Sequence, residues 1–166
     1  MRVFSIGASA VVESDTLPTA LPPQGFLWIA CARREFEVMQ GQLQACLQNL
    51  TGTQLVDLHI ADLLNNQLPS HYDYTSWYDL LVFRRLAAGE GSAAMFLDDS
   101  KGTLSTARAA LAAIDTSPVG FALFDRVLLS VHPAECQVRE YFANRLQHQL
   151  PPTSEESRTT DSRTAV

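Results

Sequence analysis

Lysine is almost absent from this chain of 166 residues, which contains only Lys101. Lysine and arginine together number 12 against 18 acidic residues, and the formal net charge is −6. Binding to nucleic acid depends on clustered basic side chains that neutralise phosphates. The composition therefore argues against a nucleic-acid partner.

Cysteine is scarce as well, and its spacing excludes the common zinc and redox motifs. Cys31, Cys46 and Cys136 include no C-x-x-C pair. Cys31 lies in an apolar run and Cys46 on an amphipathic helix, where a free cysteine behaves as a small hydrophobic residue. We expect structural, reduced cysteines, which is typical of a cytoplasmic protein.

Long hydrophobic runs are also missing. The chain's apolar runs, such as those at 78–83 and 127–131, have the length of a strand, whereas a membrane-spanning helix needs about 20 apolar residues. The N-terminus does not have the pattern of a secretory signal. Residues 149–166 are almost entirely polar, which predicts a disordered tail after a soluble domain over 1–148.

Segments with the hydrophobic pattern of strands alternate along that domain with segments that have the spacing of amphipathic helices. Strands are predicted at 3–6, 10–13, 26–31, 77–86, 93–97, 119–124 and 127–131. Three- and four-residue spacing predicts a helix over 33–50 that ends at Gly52, with buried Phe36, Met39, Leu43, Cys46, Leu47 and Leu50.

Three further helices are predicted. The second would bury Leu55, Leu58, Ala61 and Leu64, and the third would span 106–114 after the N-cap Ser105. The last would begin at Pro133 and bury Val138, Tyr141, Phe142 and Leu146. Strands interleaved with amphipathic helices predict an α/β fold, with a mixed β-sheet flanked by helices on both faces.

Enzyme signatures are absent from the sequence. Gly89 and Gly91 lie in a predicted turn, without a dinucleotide fingerprint or a Walker-type lysine. Ser130 and His132 are close in sequence but lack a nucleophile-elbow pattern, so we interpret His132 as a core or strand-end residue. We predict that the chain is not an enzyme.

One cluster of side chains could bind a metal ion. Asp57, His59 and Asp62 lie on the second predicted helix, and His71, Asp73 and Asp79 follow it. Carboxylate oxygens suit magnesium and calcium, while imidazole nitrogens favour zinc, cobalt or nickel. Many solvated pairs have the same spacing, so a solvated acidic face is the commoner explanation, and both interpretations stay open.

The order of these segments resembles the N-terminal cytoplasmic domain of the CorA/ZntB-like divalent-cation transporters. The resemblance covers roughly residues 1–148 and rests on loose apolar patterns. Its pieces are Trp28-Ile29, Asp62-Leu63-Leu64, the turn at Pro69, the strand over 78–83 and Leu129-Ser130-Val131-His132.

The resemblance implies a soluble regulatory and assembly domain of funnel type that senses cations at subunit interfaces. Its partners would be copies of itself, in a homopentamer, and a divalent cation. Asp62 stands where magnesium-gated relatives carry a sensor aspartate. No cofactor is required, and the regulatory ion would be Mg²⁺, or Zn²⁺ or Co²⁺.

The family's two membrane spans and its Gly-Met-Asn loop are absent from this sequence. The resemblance therefore implies a missing C-terminal half that would hold the domain at the cytoplasmic side of the inner membrane. The alternative is a free-standing acidic α/β module that binds a protein partner and has no transport role.

Overall fold

The computed structural model describes residues 1–8, 10–87 and 115–149. The strands in these ranges are β1 (Arg2–Ile6), β2 (Val11–Ser14), β3 (Phe26–Ala32), β4 (His71–Tyr74), β5 (Asp79–Ala87), β6 (Asp115–Leu123) and β7 (Val127–His132). The helices are α1 (Arg33–Thr51), α2 (Asp57–Leu64) and α3 (Gln137–Gln149). None of these helices is long and apolar enough to span a bilayer.

The seven strands form one mixed sheet in the order β2-β1-β3-β7-β6-β5-β4. At its centre β3 and β7 run parallel, with Ile29 opposite Leu129. The other neighbouring pairs are antiparallel, including the two predicted hairpins, β1–β2 and β6–β7. Both central strands are buried along most of their length, because helices cover the two faces of the sheet.

The larger core lies between α1, α2 and one face of the sheet. The opposite face carries a smaller core, in which Ala143 and Leu146 of α3 pack near Phe4 and Trp28. The two aromatic rings stack with their centroids 4.8 Å apart. The predicted α/β fold, a mixed sheet with helices on both faces, is confirmed.

Helix α1 has the predicted position and buried face. Phe36, Leu43, Cys46 and Leu47 are buried, and Met39 and Leu50 pack against the same core. The helix ends where Gly52 adopts a left-handed conformation with φ 78° and its N–H bonds the carbonyl of Gln48. Glycine takes this conformation without the steric cost of a Cβ atom.

Helix α2 exposes residues that the apolar pattern placed inside. Leu58 is 64% exposed and Ala61 is also exposed, so that part of the prediction is wrong. The buried residues of the helix are instead His59, Ile60 and Leu63. The polar His59 can be buried because partners from other elements satisfy its ring nitrogens.

Strand β6 begins four residues before its predicted start at position 119 and contains Pro118. Proline cannot donate to a sheet ladder and is confined to places where no partner needs its N–H. Pairing between β6 and β7 covers only Gly120 to Leu123, so Pro118 lies beyond that ladder. Its carbonyl accepts a 2.7 Å hydrogen bond from the Arg33 guanidinium instead.

Helix α3 begins at Gln137, and the predicted start at Pro133 is wrong. Its predicted stripe is also largely exposed, since Val138, Tyr141 and Phe142 are each about half exposed. The residue that packs most closely on the sheet is Ala143, which is fully buried. A small side chain there lets the helix approach the strands.

All three cysteines are buried free thiols. Burial raises the pKa of Cys31 to about 12, which keeps that thiol protonated. The predicted turn at 89–92, strand at 93–97, helix at 106–114 and tail after residue 149 lie outside the described residues.

Candidate functional site

Four of the six predicted metal-binding residues gather where α2 packs over β4 and β5. His71 and Asp73 pair with Val82 and Leu80 of β5 and share the face of the sheet that α2 covers. Two polar pairs, His59–Asp73 and Asp62–His71, connect the elements side by side, because residues three apart on a helix lie on the same face. Each pair joins a histidine to an aspartate.

The first pair is part of a continuous chain of hydrogen bonds. Nε2 of His59 lies 3.1 Å from Oδ2 of Asp73, and Nδ1 lies 2.8 Å from the hydroxyl oxygen of Tyr78. That oxygen also accepts a 3.0 Å hydrogen bond from the backbone N–H of Val56. A carboxylate only accepts, so Nε2 carries a proton, and in the neutral form of the ring the Tyr78 hydroxyl donates to Nδ1.

This chain ties the start of α2 to both strands at the sheet edge. Hydrogen bonding from His59 and from the backbone of Tyr74 holds the pKa of Asp73 below its usual value. Burial raises the pKa of Tyr78, which keeps its hydroxyl protonated as a donor. Both ring nitrogens of His59 are engaged, so a metal ion could bind there only after one of these bonds breaks.

In the second pair both side chains are partly exposed, whereas in the first pair the histidine is buried. Oδ2 of Asp62 lies 3.6 Å from Nε2 of His71, and the two side chains are 18% and 29% exposed. A carboxylate oxygen and an imidazole nitrogen therefore face one another within reach of an external ion. This arrangement offers two metal ligands from one chain.

The remaining predicted ligands lie apart from these pairs. Asp57 is exposed in the first turn of α2. Asp79 projects from the opposite face of the sheet, where it accepts a 3.0 Å hydrogen bond from the Tyr72 hydroxyl. Across residues 1–8, 10–87 and 115–149 no three His, Cys, Asp or Glu side chains come together as a metal cluster. The assignment of Asp57, His59 and Asp62 as metal ligands remains a prediction.

Sequence reasoning missed β4 and the role of Tyr78. The segment His-Tyr-Asp-Tyr has no aliphatic residue, so its alternation does not produce an apolar stripe. The available signal was the alternation itself, because two polar residues at i and i+2 share one face of a strand. Tyr78 was interpreted only as the start of an apolar strand.

Ser130 and His132 are buried in the central strand β7, and each has a hydrogen-bond partner of its own. Ser130 Oγ accepts a 2.8 Å hydrogen bond from Trp28 Nε1. Nδ1 of His132 lies 2.7 Å from the carbonyl oxygen of Pro133, and burial lowers the pKa of the His132 ring. These contacts agree with the interpretation of His132 as a core residue at a strand end.

No protein-family model matches the sequence, and no curated protein matches it either. Solved structures do match the fold. The ZntB cytoplasmic domain from Vibrio parahaemolyticus RIMD 2210633 superposes with a TM-score of 0.57 and 11% identity, over 92% of this chain and 51% of that one.

Two further structures match similarly. The complete CorA magnesium transporter from Methanocaldococcus jannaschii gives a TM-score of 0.54 at 11% identity, over 88% of this chain and 36% of that one. The full-length CmaX protein gives 0.55 at 15% identity, over 88% and 38%. The chain thus spans about half or less of the length of these structures. Its described part has the fold of the CorA and ZntB cytoplasmic domains.

Proposed function

We propose that this chain is a soluble cytoplasmic regulatory and assembly domain of a CorA-like transporter for magnesium or another divalent cation. The observation that carries the proposal is the fold, which resembles the ZntB and CorA domains over 92% and 88% of the chain. The membrane-spanning part would belong to a longer protein of which this domain is one portion.

We further propose that the Asp62–His71 pair contributes to cation sensing. Its two side chains are partly exposed and provide one oxygen and one nitrogen ligand. Divalent cations need more ligands than this pair supplies, since magnesium takes six and zinc usually four. The remaining ligands would come from water and from a second copy of the domain, which makes the site dependent on association.

Charge gives a physical reason for that dependence. Each chain carries a formal charge of −6, so copies that approach one another are repelled. A divalent cation between acidic side chains offsets part of this repulsion. Removal of the ion would then favour separated subunits, and the ion would shift the equilibrium by its differential affinity for the two states.

Sedimentation velocity measured with EDTA and then with millimolar Mg²⁺ or micromolar Zn²⁺ or Co²⁺ tests this proposal. We expect the cations to shift the chain toward a larger species, and Asp62→Asn to weaken that shift. Asp15→Asn, which removes a carboxylate in the loop after β2, is the matched control. If neither the cation nor Asp62→Asn changed the association, the sensing role would be refuted.

The second ligand distinguishes between ions. His71→Ala should reduce the response to Zn²⁺ and Co²⁺ while leaving the response to Mg²⁺, because imidazole is a poor ligand for magnesium. An equal loss for all three ions would mean that His71 supports Asp62 structurally and does not bind the ion.

One observation favours the alternative, a protein-interaction module. Tyr72, Tyr74 and Trp77 are between 61% and 70% exposed at the β4 edge, and aromatic residues are enriched at protein interfaces. In that case we expect the chain to remain monomeric with every cation, and Tyr74→Ala to weaken capture of a defined protein partner.

A further inference from the structure

An apolar groove lies between α3 and the face of the sheet opposite α1 and α2. Its volume is about 360 Å³, within the usual range for small-molecule sites. The walls include Phe121, Leu128, Phe142 and Leu146. Three polar residues, Ser130, His132 and Arg139, also line it.

Ser130 provides an unused hydrogen-bond donor on the floor of this groove. The residue is 2% exposed, and its Oγ accepts the 2.8 Å bond from Trp28 Nε1. Its own O–H has no acceptor among the described residues of the chain. A buried donor without a partner is costly and rare in folded proteins. A bound molecule with an acceptor atom in the groove would remove this cost.

The other two polar residues are already paired. Nδ1 of His132 donates to the Pro133 carbonyl, and Nε2 therefore lies as an acceptor 3.5 Å from the Arg139 guanidinium. Arg139 forms an ion pair with Glu140, which also pairs with Arg2, and Arg2 pairs in turn with Glu13. The two arginines and two glutamates have no net charge, so an anionic ligand would enter an apolar groove without a free counter-charge.

We propose that this groove binds a small, uncharged, largely apolar molecule whose carbonyl oxygen accepts the hydrogen bond of Ser130. The apolar walls favour a hydrocarbon or aromatic body through burial of its surface. A single water molecule would satisfy Ser130 less well, because a buried water needs two to four polar partners. The proposal is independent of cation transport and of the Asp62–His71 pair.

A solvatochromic aryl ketone, 6-propionyl-2-(dimethylamino)naphthalene, serves as the probe. Its emission shifts to the blue in apolar surroundings and to the red when its carbonyl accepts a hydrogen bond. We expect saturable binding to the folded chain at one site. Leu146→Trp, which fills the groove from α3, should abolish this binding.

The hydroxyl is tested in the Trp28→Phe background, because Trp28 Nε1–H could otherwise replace the lost donor. There, adding Ser130→Ala should weaken binding roughly three- to tenfold and move the bound emission further to the blue. Ser5→Ala, on β1 and the opposite face of the sheet, should leave binding unchanged. Circular dichroism checks that each variant is folded.

Three results would overturn the proposal. Folded wild-type chain that does not bind the probe would mean that the chain itself or a second copy fills the groove, and sedimentation equilibrium separates these two cases. Binding that survives Leu146→Trp would place the probe elsewhere. Equal affinity and emission with and without Ser130→Ala would show that the probe's carbonyl does not accept a hydrogen bond from Ser130.

Discussion

The Tyr78 hydroxyl lies 2.8 Å from Nδ1 of His59 and fixes a buried histidine between a helix and the edge of the sheet. Only 4% of Tyr78 and 2% of His59 are exposed, so water cannot readily replace either partner. The rings meet edge to face, with their centroids 5.5 Å apart. This contact therefore couples the position of α2 to the start of β5.

Tyr78→Phe should lower the free energy of unfolding by about 1–3 kcal/mol. The change leaves Nδ1 of His59 and the N–H of Val56 without their shared partner, and unsatisfied buried polar groups carry a penalty of this size. Urea denaturation at pH 7 measures the loss. Tyr72→Phe is the control, since the exposed Tyr72 hydroxyl donates to the exposed Asp79 and its removal should change stability by less than about 0.5 kcal/mol. Equal effects would contradict the buried network.

Gly25→Ala and Gly41→Ala should have opposite effects on stability. Gly25 has φ +89°, and an added Cβ would lie 1.9 Å from the carbonyl oxygen of Ile6, so backbone would have to move. We expect a loss of about 2 kcal/mol or more. Gly41 lies within α1 with nothing near its Cβ position, so alanine should stabilise the chain by about 0.5–1 kcal/mol.

Thermal and urea denaturation compare the two glycine variants with the wild type. Opposite signs support the close approach of Gly25 to Ile6, because the same chemical change is made at both positions. A neutral Gly25→Ala would show that the loop before β3 tolerates displacement from β1.

Protonation of His132 should destabilise the fold. Burial is the main cause that lowers its pKa below the ordinary 6.5, and the charge of Arg139 acts in the same direction. The hydrogen bond to the Pro133 carbonyl and, to a smaller extent, Glu35 oppose this lowering of the pKa. Below pH 6.5 the unfolded chain binds the proton more readily than the folded chain does, so this contribution to stability is complete above about pH 7 and is lost as the pH falls.

A pH titration of the His132 ring followed by NMR measures this directly. The same ring in urea-unfolded protein should titrate near 6.5 and provides the reference. A folded-state midpoint above the unfolded one would reverse the predicted sign and would mean that the Pro133 carbonyl and Glu35 together outweigh burial.

Ala143→Leu should destabilise the packing of α3 by about 1–3 kcal/mol, the usual range for overpacking. Ala143 is fully buried against the sheet near Trp28 and Ala30, so a longer side chain has no space without displacing the helix. Tyr141→Ala, at a position 57% exposed on the same helix, should have a small effect. Tryptophan fluorescence and urea denaturation compare the two, and a tolerated Ala143→Leu would mean that α3 is loosely held.

The hydrophobic pattern predicted the parts of the fold in which local sequence and tertiary burial agree. Helix α1 has both a continuous apolar stripe and a glycine at its end, and β3 is apolar on both faces. Nothing outside these segments was needed to identify them. The β6–β7 hairpin was predicted for the same reason, although its first strand starts earlier.

The pattern failed where burial depends on partners distant in sequence. His59 is inside because Tyr78 and Asp73 meet it, and apolar periodicity favoured Leu58 and Ala61 instead. Ala143 is inside because it is small, which a hydrophobicity pattern cannot distinguish from an exposed alanine. The metal residues were grouped in one cluster, whereas the fold separates them into two pairs and two outlying carboxylates.

The parallel ladder between β3 and β7 has a kinetic consequence. Strands β1, β2 and β3 pair with one another within the first 32 residues, whereas Leu27 of β3 pairs with Val127 of β7, 100 positions later in the sequence. Closing such a distant contact carries an entropic cost before any packing is gained. We expect the β3–β7 ladder to form last. Because its contacts would be absent from the transition state, Leu129→Ala should speed unfolding more than it slows refolding in stopped-flow experiments. The centre of the finished sheet would then be the final part of the domain to assemble.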